Sequence, residues 1–209
     1  MRLWRSGIHF YLIGLIILTL GIALTIQSAL GTSPFDALLV GLYKTFGLSV
    51  GSWEIVVGTT LLLINGAAEK KRPEYMAFFT SFVTGIGIDT WLFIIRDWIA
   101  PVTWGGQSIC LLLGLVLSAL GIATYLQSDI APNPMDRSML VLAKLTGWSV
   151  SNARIVINVI LVIIAFLFNG PIGIGTLANA LFSGMMIAAL LPYVNKMRKS
   201  SLQGEKQVS

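Results

Sequence analysis

Hydrophobic residues along this chain fall into six long stretches, which short polar segments separate. A helix needs about 20 residues, each rising about 1.5 Å, to cross the ~30 Å hydrocarbon core of a bilayer. Two segments between the stretches, 33–47 and 133–147, are helical in pattern but too short to cross, and we expect half-helices or interfacial helices there. The pattern therefore predicts an all-α membrane protein with two short helices and six transmembrane helices, near 8–30, 50–66, 75–96, 107–129, 150–168 and 172–194.

The same pattern occurs twice, with a spacing of one hundred residues. Between 14–56 and 114–156, 17 of 43 positions are identical without a gap, too many for a chance match of two apolar segments. An odd number of crossings in each copy, three, places the second copy upside down relative to the first, and inverted repeats often carry a binding or permeation site on the axis between them. We therefore divide the chain into a first repeat, a second repeat and a cytoplasmic tail, at 1–106, 107–195 and 196–209.

Basic residues determine the expected orientation in the membrane. With six crossings and a cytoplasmic N-terminus, most of the 14 Lys and Arg residues lie on the cytoplasmic side, and only Lys44 and Arg96 lie outside. This distribution follows the positive-inside rule, so we expect both termini in the cytoplasm. The net charge of +5 comes mainly from the inner loops, and it indicates contact with anionic lipid rather than nucleic-acid binding.

Composition excludes a soluble domain and gives no sign of metal or cofactor chemistry. Charged residues make up 11% of the chain, against about 25% in soluble domains. The single cysteine and the single histidine, Cys110 and His9, are too few for a zinc site. The sequence has no phosphate-binding loop, nucleophile elbow or paired-cysteine motif. We expect no cofactor, no metal and no enzymatic activity.

A polar break follows the first long helix of each repeat, and ordinary helix capping explains much of it. Ser33 and Asn133 are good N-cap residues, and the proline after each one occupies the first helical position, where a missing N–H costs nothing. An aspartate then falls at the third position, facing the positive end of the helix dipole. Gly47 and Gly147 are suitable C-caps. A short helix capped in this way near an interface needs no ligand.

The same break also predicts a binding site. A helix interruption inside a membrane protein must be buried in protein or line a wet cavity. Two half-helix N-termini would present free N–H groups to a shared path, beside neutral donors and acceptors that suit a small polar or anionic solute better than a bare cation. An aspartate at each terminus complicates binding of an anion. The candidate substrate-binding residues are Gln27, Ser28, Asp36, Gln127, Ser128 and Asp136.

Three further ionisable residues lie within predicted spans, where charges are costly and usually face the bundle interior. Glu54 and Arg154 occupy equivalent positions of the two repeats with opposite charge, so they either form a polar pair near the axis or extend to opposite interfaces. Asp89 has no acidic equivalent in the second copy, where Ala188 takes the matching place. It is our candidate for ion or proton coupling, and its alternative role is a hydrogen bond to a neighbouring helix.

Short motifs spread over nearly the whole chain, the tail excepted, carry a resemblance to a known family. They are Leu30-Gly31-x-x-Pro34-Phe35-Asp36, Gly41-Leu42, Gly47-Leu48-Ser49-Val50-Gly51, Gly85-x-x-Ile88-Asp89 and Gly173-x-Gly175-Thr176-x-x-Asn179. These residues resemble the bacterial YczE/YyaS/YitT-like membrane proteins, with Phe35 in place of the usual Trp. The resemblance implies a multi-pass protein of the bacterial inner membrane and implies no particular substrate.

From these observations we expect a transporter or channel for a small polar solute or an ion. The alternative is a non-transporting membrane protein that scaffolds or regulates cytoplasmic partner proteins through its basic inner loops. The expected partners are the lipid bilayer and the solute, without nucleic acid, and homo-oligomer formation is left open. A wet polar cavity between the two breaks would favour transport, whereas a dry, sealed bundle would favour the partner function.

Overall fold

The computed structural model describes residues 2–128, 130 and 132–207, and these residues form eight α-helices without any strand. Six of the helices are long and apolar enough to cross a membrane. The predicted all-α fold, with six spans and two short helices, is confirmed. The helices are α1 (Arg2–Gln27), α2 (Pro34–Phe46), α3 (Val50–Glu69), α4 (Tyr75–Ile95), α5 (Trp104–Leu126), α6 (Pro134–Thr146), α7 (Val150–Leu167) and α8 (Ile174–Gln207).

Most helix ends lie within a few residues of the predicted positions, and the exceptions are the start of α1, at Arg2 rather than residue 8, and the end of α8. α1 ends at Gln27 rather than at residue 30, because Ala29 takes a left-handed conformation with φ 56° and ends the helical run. α8 continues to Gln207, through most of the segment expected to be a tail. The Lys, Arg, Leu, Gln and Glu residues of that segment all have favourable helix propensities. Val208 and Ser209 lie outside the described residues.

The centre of the bundle is the crossing of α1 and α5, which pack more extensively than any other pair of helices in the described chain. Gly14 lies against Tyr125 and Gly21 against Ser118, so the two helices run antiparallel. The absence of side chains at these glycines lets the backbones approach closely, as in small-residue seams of membrane helices.

The contacts of this crossing are reciprocal. The equivalents of Gly14 and Gly21 in the second copy lie one hundred residues later, at Gly114 and Gly121. Gly114 contacts Thr25 and Gly121 contacts Leu18, and these partners are themselves one hundred residues before Tyr125 and Ser118. Each copy therefore presents the same surface positions to the other, as in an isologous interface.

The short helices pack against the opposite repeat. α2 lies along α7, where Gly41 contacts Phe168 and Gly170 contacts Ala37. α6 lies along α3, where the Asn65 side-chain amide donates to the Pro134 carbonyl oxygen at 3.1 Å. This exchange of short helices brings the N-terminus of each one to the interior, between the repeats.

The two repeats differ at one seam, which is the contact between the second and third long helices of each copy. In the first copy, α3 and α4 pack closely, and Gly51 and Gly58 of α3 lie against Gly85 and Ser81 of α4. The corresponding pair in the second copy, α7 and α8, makes almost no backbone contact among the described residues. The segment 168–173 joins α7 to α8 at one end, and the space between the two helices is called the gap below.

Candidate functional site

The two polar breaks form equivalent turns. The Ser28 hydroxyl donates to the Thr25 carbonyl oxygen at 2.7 Å and accepts from the Leu30 N–H. The Ser128 hydroxyl makes the same two bonds, to the Tyr125 carbonyl oxygen at 2.6 Å and from the Ile130 N–H. Both serines are buried and hold their turns in place, and neither lines the central cavity described below.

The glutamines before these serines also lie away from the cavity described below. Gln27 is the last residue of α1, and Gln127 is the buried C-cap of α5. Four of the six predicted substrate-binding residues, Gln27, Ser28, Gln127 and Ser128, are therefore placed in the turns rather than around the cavity.

The predicted caps of the short helices are confirmed. The Ser33 hydroxyl accepts from the Asp36 N–H at 3.1 Å and donates to the Asp36 carboxylate at 2.5 Å. The Asn133 side-chain oxygen accepts from the Met135 N–H at 2.9 Å. These bonds satisfy donors at the helix N-terminus that have no partner within the helix. Gly47 and Gly147 are the C-caps, as predicted.

Both capped N-termini line one cavity of about 140 Å³ in the middle of the bundle. Many of the lining positions occur in both copies, one hundred residues apart: Leu18 and Ser118, Ile22 and Ile122, Thr25 and Tyr125, Ser33 and Asn133, Phe35 and Met135, Asp36 and Asp136, Glu54 and Arg154. Asn158, Asn179 and Ser183 add polar groups from α7 and α8. The site is thus built from matching parts of the two repeats.

Three carboxyl groups reach this cavity, and each accepts a hydrogen bond in the structure. Asp36 accepts from Ser33, as described above. Asp136 accepts from the Tyr125 hydroxyl at 2.9 Å, and Glu54, which is 1% exposed, accepts from the Asn133 side-chain amide at 3.1 Å. Asn133 therefore caps α6 with one side-chain atom and positions Glu54 with the other.

Arg154 brings a positive charge to the same cavity from α7. Its guanidinium lies beside Gly184 of α8, on the far side of the gap between these helices. Within the described residues, it forms no ion pair at 4.0 Å or less and no hydrogen bond. Glu54 and Arg154 thus share one cavity without direct pairing.

The hydroxyl group of Thr84 is a buried polar atom without a hydrogen-bond partner in the described chain. Thr84 is 1% exposed, belongs to α4 and lines the cavity. A buried hydroxyl usually has a partner, because leaving it unpaired costs about 1–3 kcal/mol. A ligand or water in the cavity would supply the missing partner.

Asp89 lies outside the cavity, at the seam between α4 and α3. One carboxylate oxygen accepts from the Gly51 N–H at 2.8 Å, and the other accepts from the Ser49 hydroxyl. Ser49 is the N-cap of α3 and also accepts from the Ser52 N–H. Asp89 therefore fixes the C-terminal half of α4 to the start of α3, and its predicted role in coupling stays a prediction.

Comparison with known proteins places the chain in a family. The family described as "Family of unknown function (DUF6198)" matches residues 5–192. The chain belongs to this family. It is 44% identical to "Uncharacterized protein YyaS" of Bacillus subtilis (strain 168) over 187 residues, which cover 90% of this chain and 93% of that protein. It is 34% identical to "Uncharacterized membrane protein YczE" of the same organism over 184 residues, covering 88% and 84%.

A more distant relative is an "Uncharacterized protein" of Haemophilus influenzae, 24% identical over 199 residues, which cover 93% of this chain and 89% of that protein. No solved structure matches the chain. The predicted resemblance to YczE/YyaS-like proteins is confirmed. The named membrane relative and the six apolar helices together identify this DUF6198 chain as a membrane protein.

Several cavity-lining residues of the DUF6198 chain were not among the sequence candidates. Thr84, Asn158, Asn179 and Ser183 all come from long apolar helices. A polar side chain within such a helix is a weak signal for an inward-facing position, and Asn158 and Asn179 carried that signal. Thr84 and Ser183 did not, because Ser and Thr are common in membrane helices, where they bond to the carbonyl of the preceding turn.

Proposed function

We propose that this protein is a membrane transporter that binds a small polar solute in the central cavity. The observation that supports it is the convergence of both capped half-helix N-termini and four ionisable side chains on one cavity between the repeats. Groups of this kind are costly in a membrane and usually belong to a solute or ion pathway. The four ionisable residues are Asp36, Glu54, Asp136 and Arg154.

We further propose that the two repeats have inverted topology and that the site lies on their pseudo-two-fold axis. The antiparallel crossing of α1 and α5 and its reciprocal contacts support this arrangement. The paired lining residues, one from each copy, support a cavity on the axis. Transporters with inverted repeats commonly bind substrate at this place, near the middle of the bilayer.

The unequal seams favour a transporter over an open channel. In an inverted repeat, the α3–α4 seam and the α7–α8 seam are equivalent and face opposite sides of the membrane. One is packed and the other makes almost no backbone contact, which supports access to the cavity from one side only. Exchange of these two arrangements between the copies would give alternating access around a fixed site.

In the topology that the basic residues favour, both termini lie in the cytoplasm and α7 starts at the inner face of the bacterial inner membrane. Since 168–173 joins α7 to α8 on the outer side in this topology, we propose that the gap between them opens toward the cytoplasm, while Asp89 holds the packed seam on the outer half. The structure would correspond to an inward-open state.

Uptake into liposomes tests the proposed function. The purified chain is reconstituted, a panel of labelled amino acids, amines, small acids and inorganic ions is supplied under proton and sodium gradients, and accumulation is measured. We expect saturable uptake of at least one solute, at least tenfold slower in Arg154→Gln. The matched control is Arg96→Gln, since Arg96 is exposed outside the cavity and should have no effect. If no member of the panel enters faster than into empty liposomes, transport is rejected and the scaffold alternative gains support.

A further inference from the structure

We infer that the central cavity binds a small zwitterion, a molecule with a protonated nitrogen at one end and an anionic oxygen group at the other. This inference rests on the proposed function and specifies its substrate class. It follows from the placement of carboxyl groups and a guanidinium group on different helices around one cavity. Glu54 of α3 and the aspartates of α2 and α6 provide carboxyl groups, while Arg154 of α7 provides the guanidinium.

The carboxyl groups are arranged as acceptors. The Ser33 hydroxyl, the Asn133 amide and the Tyr125 hydroxyl each donate to one of them. These donors are neutral, and within the described residues none of the three carboxyl groups has a salt bridge of 4.0 Å or less. The three carboxyl groups can therefore accept further hydrogen bonds from a ligand that carries a positive charge and N–H donors.

Arg154 has a positively charged guanidinium group without a salt-bridge partner in the described chain. It has no carboxylate within 4.0 Å in the described chain and lines the cavity together with Asn158 and Asn179. A guanidinium with its donors free is well suited to a carboxylate, which it can bind with two parallel hydrogen bonds. The two asparagines offer further donors to the same anionic group.

A ligand of one sign would satisfy only part of this cavity. A cation would pair with the three carboxyl groups but would leave Arg154 unpaired and close to a like charge. An anion would match Arg154 but would face three carboxyl groups. A bare metal ion is also a poor match, because no group of three or more His, Cys, Asp or Glu residues in the described chain is close enough to hold one. A zwitterion can pair with the carboxyl groups and with Arg154 at the same time.

Size and an unpaired hydroxyl add independent support. The cavity volume of about 140 Å³ is close to that of engineered cavities of ~150 Å³ that hold benzene, a molecule with six heavy atoms. Small amino acids are of this size. Thr84, which is buried and whose hydroxyl has no partner in the described chain, lines the cavity and would bond to the ligand.

Equilibrium binding to the purified full-length chain in lipid nanodiscs tests the inference by calorimetry. The probes are alanine, β-alanine and γ-aminobutyrate, each compared with the acid that lacks its amine and with the amine that lacks its carboxylate. We expect at least one zwitterion to bind at least tenfold more tightly than both of its matched probes. The inference is overturned if an amine or an acid binds as tightly as the zwitterion, or if no probe binds.

Charge variants give a readout that misfolding cannot imitate. Arg154→Gln should weaken zwitterion binding about 10- to 100-fold, the effect of losing a charge-assisted hydrogen bond, while the matched amine binds at least as well as before. Glu54→Gln should weaken binding of the zwitterion and the amine. A misfolded variant would lose every probe, so retained amine binding by Arg154→Gln proves a folded site, and retained zwitterion binding by that variant contradicts the inference.

The uptake and binding experiments together distinguish a wrong substrate class from a wrong transport function. If liposomes accumulate amines, acids or ions but no zwitterion binds, transport stands and the substrate class is wrong. If a zwitterion binds with the expected variant effects but nothing accumulates, the site stands and the transport function is wrong.

Discussion

Asn133 links helix capping to the cavity through a single side chain. Its oxygen caps α6 and its amide donates to Glu54, whereas the equivalent residue of the first copy, Ser33, caps α2 and donates to the aspartate of its own helix. Two residues with the same cap function therefore orient carboxyl groups in different ways. The capping role could be predicted from sequence, because an N-cap depends on neighbouring residues alone, whereas the bond to Glu54 depends on how α6 packs against α3.

We predict that Asn133→Ser separates these two roles. Serine is an equally good N-cap, so the unfolding midpoint should fall by only a few degrees. Glu54 would lose its amide donor, and uptake or ligand binding should fall about tenfold, since hydrogen bonds to charged groups contribute about 1.5–3 kcal/mol. Asn152→Ser, at an exposed position of α7, is the control. Unchanged binding by Asn133→Ser would show that Glu54 does not need this donor.

Asp89 gives a second prediction at the scale of a residue. Asparagine can accept from the Gly51 N–H and donate to the Ser49 hydroxyl, so Asp89→Asn preserves the seam between α3 and α4. We expect a folded variant with uptake close to that of the native chain, and the exposed Asp97→Asn serves as control. Abolished uptake with unchanged thermal stability would instead establish the coupling role that the sequence suggested.

At the scale of whole helices, sequence patterns predicted the spans and the short helices but not how they pack. Hydropathy and caps are local, and they identified α2 and α6 from Pro34 and Pro134 with their preceding caps. The gap between α7 and α8 depends on contacts far apart in sequence. Gly51 and Gly58 of the packed seam correspond to Ser151 and Asn158 in the second copy, but this difference alone does not predict a gap. For the same reason, the positions of Thr84 and Ser183 could not be predicted.

The α1–α5 crossing supplies a prediction about stability. A methyl group at Gly21 would collide with the backbone and side chain of Ser118, so Gly21→Ala should lower the free energy of unfolding by about 1–3 kcal/mol. Gly105→Ala is the matched control, because nothing lies within 4 Å of the added atom, and it should be neutral or slightly stabilising. Thermal unfolding in detergent measures both. Equal stability of the two variants would mean that the crossing is looser than described.

At the scale of the whole molecule, orientation in the membrane is the first property to test. Reporter fusions after residues 70 and 199 should be active on the cytoplasmic side, and one at 102 should be external, because the basic residues concentrate in the inner loops. Paired reporters, one active only inside the cell and one active only outside, provide the control at each site. A cytoplasmic signal at 102 would contradict the inverted arrangement of the repeats.

Access to the cavity is the second property of the whole molecule. In a variant whose Cys110 is replaced by serine, a cysteine at position 158 should react with a membrane-impermeant thiol reagent from the cytoplasmic side, because Asn158 lines the cavity beside the gap between α7 and α8. Leu113→Cys, at an exposed position on the outside of the bundle, should stay unlabelled in lipid. Labelling of position 158 from the external side alone would contradict the proposed inward-open state.

In the proposed transporter, the opposite charges at positions 54 and 154 would also fix the orientation of a bound solute. A strictly symmetric site would offer the same group twice, and a molecule could enter it in either orientation. Here Glu54 lies near the outer start of α3 and Arg154 near the inner start of α7, in the proposed topology. A zwitterion bound between them would point its anionic end at the cytoplasm, and during uptake that end would enter the cell first.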